Sequence, residues 1–150
     1  KTLGVKALRD ISLAELRSQE HKLPSVVFQR AHHVVSENER VLAAAKALAE
    51  GDRVSLSLLM AESHRSMKED FEITVPAIDY LVEIVSNELG DLGGVRMTGG
   101  GFGGCVVALV PEDKVDAVID VIDANYYTKT DLTADIFVCQ ASEGVGQVKF

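Results

Sequence analysis

A chain of 150 residues is ordinary for one domain and long enough to bury a sizeable core. With 47% hydrophobic and 25% charged residues it sits near globular averages, which excludes a disordered chain. A net charge of −8, a pI near 4.9 and the lack of any Lys/Arg-rich stretch argue against nucleic acid and membrane surfaces as partners.

In chain order, Ser12-Leu13-Ala14-Glu15-Leu16 predicts a short helix, with Ser12 as N-cap and Glu15 closing a capping box. Pro24 suits the first position of a long helix to about Glu50, with an apolar stripe at Val27, Ala31, Val34, Val41, Ala45 and Leu48. Gly51 ends it, and a second helix from about Val54 to Lys68, with Leu58, Leu59, Ala61 and Met67 inward, completes a helical hairpin. A third helix begins at Thr74 or Val75 and runs through Ile78, Leu81, Val82 and Val85 to about Leu89. Val95 to Thr98 alternates as a half-buried strand, and Cys105 to Val110 is an apolar β-branched run expected as a buried strand, joined to it as an antiparallel hairpin. A helix from Pro111 to near Tyr127 carries Val115, Val118, Ile119 and Ile122 inward. A strand is expected over 134–139 and another over 146–150. The pattern is α+β: helices first, then a strand–loop–strand–helix–strand unit, in one domain over 1–150. Cys105 and Cys139, on separate strand-like runs, are expected to be reduced core thiols, which fits a cytoplasmic setting. No apolar run reaches the ~20 residues that span a bilayer.

The hairpin loop is the unusual feature. Five of the seven residues Thr98, Gly99, Gly100, Gly101, Phe102, Gly103 and Gly104 are glycine, from twelve in the chain. Glycine is costly to order, so a cluster implies backbone angles closed to other residues or close approach of the main chain to something else. Gly99, Gly101 and Gly104 fit G-x-G-x-x-G, but a dinucleotide fingerprint needs a helix after the loop, and a strand follows here. A Walker loop needs a lysine followed by Ser or Thr, which is absent. Two readings stay open: a nest of main-chain N–H groups for anionic oxygens, with Thr98 adding a hydroxyl, or a turn that lets two segments pack closely.

His32-His33 brings no second cluster of ligand spacing, so hydrogen-bonded or solvated histidines are expected rather than a metal site. Asn38 falls beside Val34 and Val41 and is expected as a satisfied buried amide. Glu62, His64 and Lys68-Glu69-Asp70 read as a solvated helix end. No nucleophile-plus-base arrangement can be drawn, so no catalytic residue is assigned within the chain.

The stretch Arg96 to Cys105, RMTGGGFGGC, resembles the third conserved motif of the galactokinase family in the GHMP kinase superfamily. The likeness covers most of the chain. His33-Val34-Val35-Ser36-Glu37-Asn38 resembles the family's H-[IV]-[IV]-[ST]-E-N segment; Met60-Ala61-Glu62-Ser63-His64 resembles M-x-x-S-H; Asp70 to Pro76 resembles D-F-E-[IV]-[ST]-x-P; and 140–146 resembles the closing A-x-G-[AV] turn. Relatives acting on N-acetylgalactosamine tend to read LTGAGWGGC, and arabinose kinases differ after the third glycine, so Met97, Gly100 and Phe102 favour the galactokinase branch.

The resemblance implies a ferredoxin-like C-terminal domain, an antiparallel sheet packed on helices and preceded by the helical hairpin. It implies transfer of the γ-phosphoryl of ATP, with Mg²⁺, to the C1 hydroxyl of α-D-galactose in the Leloir pathway. Thr98 to Gly104 would line the cleft beside the phosphoryl group and sugar. The family's catalytic aspartate and arginine, its G-E-H-x-D segment and its serine-rich nucleotide loop belong to an N-terminal half and do not occur among these residues. A C-terminal portion is therefore expected, in keeping with Lys1 in place of methionine. It is expected to be inactive alone, to need its own N-terminal domain for ATP and Mg²⁺, and to offer an apolar face through which it dimerises. The alternatives are a ferredoxin-like ligand- or partner-binding module without catalysis, or a related sugar kinase.

Overall fold

Ser12 starts the first helix, α1 (Leu13–Ser18), through the expected capping box: Glu15 N–H donates to Ser12 Oγ, and Ser12 N–H donates to Glu15 Oε2. The computed structural model describes residues 2–142 together with Gly144 and Gly146. Pro24 is the N-cap of α2 (Ser25–Glu50), which Gly51 ends in the left-handed conformation at φ 67°. Asp52 caps α3 (Arg53–Ser66), accepting from Ser55 N–H, and completes the hairpin. A π-helical turn, Met67–Phe71, follows, then α4 (Pro76–Leu89) with proline at its first position.

Strands β1 (Gly94–Thr98) and β2 (Cys105–Leu109) form the expected antiparallel hairpin, with Thr98 opposite Cys105 and Gly94 opposite Leu109. Helix α5 (Val115–Thr130) returns along α4. Val95 and Met97 point from β1 to one face of the sheet. Val95 joins Val82, Val85 and Leu89 of α4 and Val118, Ile122 and Tyr126 of α5 in the main core. Met97, fully buried, packs with Met67 and Ile78, and Ile73 packs against that cluster. The other face of β1 is covered by α3, whose Met60 side chain fills the space beside Gly94. Ile11, Leu16, Ala31 and Val35 form a third cluster where α1 meets α2.

Several expectations are corrected. The stripe on α2 is mostly not the buried face: Val27, Val41, Ala45 and Leu48 are exposed and Val34 is half-buried, while Ala31 of the stripe is buried together with His33, Val35, Ser36 and Ala47. On α3, Leu58 and Ala61 are exposed and Leu56 is buried. Strand β2 is only half covered, because α3 lies over β1 and leaves Cys105, Val107 and Leu109 open to solvent. Cys105 and Cys139 are free and exposed, not core thiols. Residues 134–139 join no ladder, so among the described residues the sheet has two strands. The strand expected over 146–150 lies outside the described residues apart from Gly146, which is in no regular element. Among the described residues no helix is long and apolar enough to cross a membrane.

Candidate functional site

Antiparallel strands joined by a short loop force a reversal, and here every residue of the reversal from Gly99 to Gly104 except Gly100 has positive φ. Gly99, Gly101, Gly103 and Gly104 have φ of 91°, 86°, 125° and 97°, and Phe102, the non-glycine among them, has φ 59°. Added β-carbons at Gly99, Gly100 and Gly103 would meet nothing within 4 Å. At Gly101 a β-carbon would lie 2.7 Å from both the Cβ and the carbonyl oxygen of Ile73. The loop thus does both things left open by its spacing. Gly101 passes tightly over residue 73, whereas the main chain at 99, 100 and 103 is bare toward solvent. Phe102 N–H donates to the Ile73 carbonyl at 2.6 Å and fastens the tip, leaving its ring 75% exposed.

Beneath the loop, the remaining motif residues converge on one polar scaffold. Arg96, at the start of the loop segment, donates from one guanidinium nitrogen to Glu37 Oε1 at 2.8 Å and Ser63 Oγ at 2.7 Å. Ser63 Oγ donates to the same carboxylate oxygen at 2.6 Å, and Arg40 Nε donates to Glu37 Oε2 at 2.8 Å. Burial pushes the Glu37 carboxyl up. Hydrogen bonds from Ser63 and Arg40 and the charges of Arg40 and Arg96 outweigh it, and the pKa ends below its ordinary value. A carboxylate so held ties α2, α3 and β1 at one point.

His33 is buried, stacks on Phe71 with ring centroids 4.6 Å apart, and lies 3.0 Å from Ser66 Oγ through Nδ1. Since Ser66 Oγ donates to Asp70 Oδ2 at 2.7 Å, its oxygen accepts from His33, which places the proton on Nδ1. His64 is fixed the other way. Met97 N–H donates to its Nδ1 at 3.3 Å, so Nε2 carries the hydrogen and faces Asp79 Oδ1 at 3.4 Å. That spacing gives attraction without a hydrogen bond, and Asp79 Oδ1 is buried without one; Lys68 Nζ holds the other oxygen at 3.0 Å. Burial is the main cause lowering the pKa of both His33 and His64, against the opposing pull of Glu37 and Asp79 respectively.

Of the residues expected at a solvated helix end, His64 is buried and Asp70 half-buried, each tied into the fold, and the neighbouring Ser63 is buried as well. Glu62, Lys68 and Glu69 are exposed, as expected. Asn38 is exposed, because α2 presents Ser36 and Glu37 rather than position 38 to the rest of the fold. Sequence reasoning missed Arg96 as the partner of Glu37. The His33/Glu37 spacing of one helical turn was the available signal. It also missed Ile73, for which only the aligned segment Asp70–Pro76 spoke.

The loop's bare glycines suit the close approach of anionic oxygens to main-chain N–H groups. Among the described residues no group of three or more His, Cys, Asp or Glu is placed to hold a metal ion.

Comparison with known proteins agrees with this arrangement. The family described as GHMP kinases C terminal matches residues 44–128. The chain is 55% identical over 148 residues to a galactokinase of Pasteurella multocida (strain Pm70), and 54% identical over 148 residues to one of Haemophilus influenzae (strain PittEE). Each alignment covers 97% of this chain but only 38% of the relative, so the chain spans under two-fifths of their length. Among solved structures, that of Lactococcus lactis galactokinase complexed with galactose superposes with a TM-score of 0.80 at 33% identity, over 85% of this chain and 33% of the other. From its matched core to its loop, the chain belongs to the GHMP kinase C-terminal family.

Proposed function

We propose that this chain is the C-terminal domain of a galactokinase, which transfers the γ-phosphoryl of ATP to the C1 hydroxyl of α-D-galactose. The observation that carries this reading is the glycine loop: it is bare at Gly99, Gly100 and Gly103, yet fastened at its tip to Ile73. The level of identity to two galactokinases, and the likeness to a third whose structure holds galactose, support the choice of sugar.

In phosphoryl transfer the charge spreads over three equatorial oxygens in a loose transition state, and catalysis rests on positioning and on preorganised donors. Thr98 to Gly104 would supply such donors, with no side chains at the glycines to hold the reacting groups away. ATP and Mg²⁺ are held chiefly by an N-terminal domain that also supplies the base, and the setting is the cytoplasm. All 150 residues act as one domain docked on that half. By itself the chain is expected to show no galactose-dependent ATP consumption.

The test is ATP consumption by the full-length protein over a panel of galactose, N-acetylgalactosamine and arabinose. Galactose should be preferred. Preference for either of the others would move the protein to a related sugar kinase, and no sugar-dependent turnover would leave a binding module.

A further inference from the structure

The glycine loop has little of its own to hold it in place. At its open positions, Gly99, Gly100 and Gly103, an added β-carbon would meet nothing, and its tip is fastened to Ile73 through the Phe102 N–H bond and the packing of Gly101. Ile73 in turn is delivered by an irregular segment. After the π-helical turn, Glu72 adopts φ 55° and ψ 46°, a left-handed conformation that a non-glycine residue holds only when its surroundings impose it. Both Glu72 N–H and Ile73 N–H are satisfied by the Met67 carbonyl.

What imposes that conformation comes from α2. Arg30 donates from one guanidinium nitrogen to the Asp70 carbonyl and from the other to the Glu72 carboxylate. His32 Nδ1 meets Asp70 Oδ2 at 3.1 Å, so residues 30 and 32 together grip the turn. The hydrogen bonds of Arg30 go to Asp70 and Glu72 and not to the loop itself. Its side chain is 31% exposed and that of Glu72 61%, so the ion pair adds little to global stability. A planar guanidinium that binds a main-chain carbonyl and a carboxylate together nevertheless fixes orientation in a way that one exposed pair does not.

We propose that Arg30, clamped on Asp70 and Glu72, is a positioning residue for the glycine loop: it sets the Ile73 carbonyl on which the loop's tip is hung. Loss of the clamp lets residue 73 relax and the loop drift, while the core of α4, β1 and α5 is undisturbed. The consequence for turnover rests on the galactokinase reading above; the consequence for the loop does not.

The experiment is hydrogen–deuterium exchange on the full-length protein, read peptide by peptide, together with its galactose kinetics. The variants are Arg30→Met, Arg30→Lys and Glu72→Asn, the last of which tolerates the left-handed conformation but cannot form the ion pair. In Arg30→Met, exchange of the peptide over 99–104, whose protection rests on the Phe102 amide held by the Ile73 carbonyl, should rise about tenfold at that amide, with peptides from α4 and α5 unchanged. The kcat should fall about tenfold with a smaller change in KM for galactose. Glu72→Asn should give part of both effects, and Arg30→Lys should restore part of the protection. Unchanged exchange over 99–104, or an increase shared evenly with α4 and α5, would overturn the clamp. Faster loop exchange in a protein that turns over no galactose would sustain the clamp and sink the galactokinase reading instead. Faster loop exchange with wild-type kcat would overturn the claim that the clamp positions the loop for reaction.

Discussion

Glu37 and Arg96 show how much of this fold rests on single polar residues. Together with Ser63 they join α2, α3 and β1 through three hydrogen bonds, and Arg40 adds a fourth to Glu37 within α2. Removing one partner strands the other in a half-buried setting, where hydrogen bonds to charged groups are worth ~1.5–3 kcal/mol. Arg96→Met should therefore lower stability by about 2 kcal/mol, and Glu37→Gln by a similar amount, in chemical denaturation; a change under about 0.5 kcal/mol would mean the network is idle. Gly100 is a control of a different kind. It has no positive φ, and an added β-carbon meets nothing, so Gly100→Ala should leave the melting temperature of the protein within error. Any loss of turnover in that variant would come from the ligand side of the loop.

At the scale of elements, caps and turns were legible and faces were not. Ser12 and Gly51 mark their helix ends chemically, and the structure uses them as a start and a stop, whereas α4 starts at Pro76 rather than at Thr74 or Val75. The apolar stripe of α2 misled because that helix buries His33, Ser36 and Glu37 in polar contacts, so hydrophobicity does not report its inner face. Strand β2 misled for a different reason. β-Branched residues report strand, not the cover on each side, and α3 covers β1 alone. The same limit applies to 134–139, where strand-forming residues meet no partner among those described. The glycine loop was legible as a nest or a close turn, while its dependence on Ile73 needed three dimensions. A matched pair of truncations checks these faces. Met97→Ala, at a fully buried site between three elements, should cost ~2–5 kcal/mol. Val107→Ala, with Val107 43% exposed, should cost under about 1 kcal/mol in the same denaturation experiment, and equal losses would show that β2 is covered after all.

Across the whole molecule, two buried histidines tie stability to pH. In the unfolded chain His33 and His64 titrate near 6.5, and in the fold both pKa values are lower. Below that value the unfolded state binds more protons than the folded one. Stability is therefore complete above it and is lost progressively as pH falls toward the folded pKa values. Glu37, whose pKa is also lowered, adds a further loss at more acidic pH, below its unfolded value of 4.5. Thermal unfolding should show a lower melting temperature at about pH 5.5 than at about pH 7.5, and a flat or opposite profile would contradict the buried, neutral histidines.

The loop that links these scales is tested most directly at Gly101. Its φ of 86° and the Ile73 contact at 2.7 Å leave no room for a β-branched side chain. In the full-length protein, Gly101→Val should cut galactose-dependent ATP turnover by roughly a hundredfold or more, while the melting temperature falls only by a few degrees because the main core of α4, β1 and α5 lies elsewhere and Ile73 only edges the Met97 cluster. Turnover equal to that of the unsubstituted protein would contradict the placing of this loop in the transfer site.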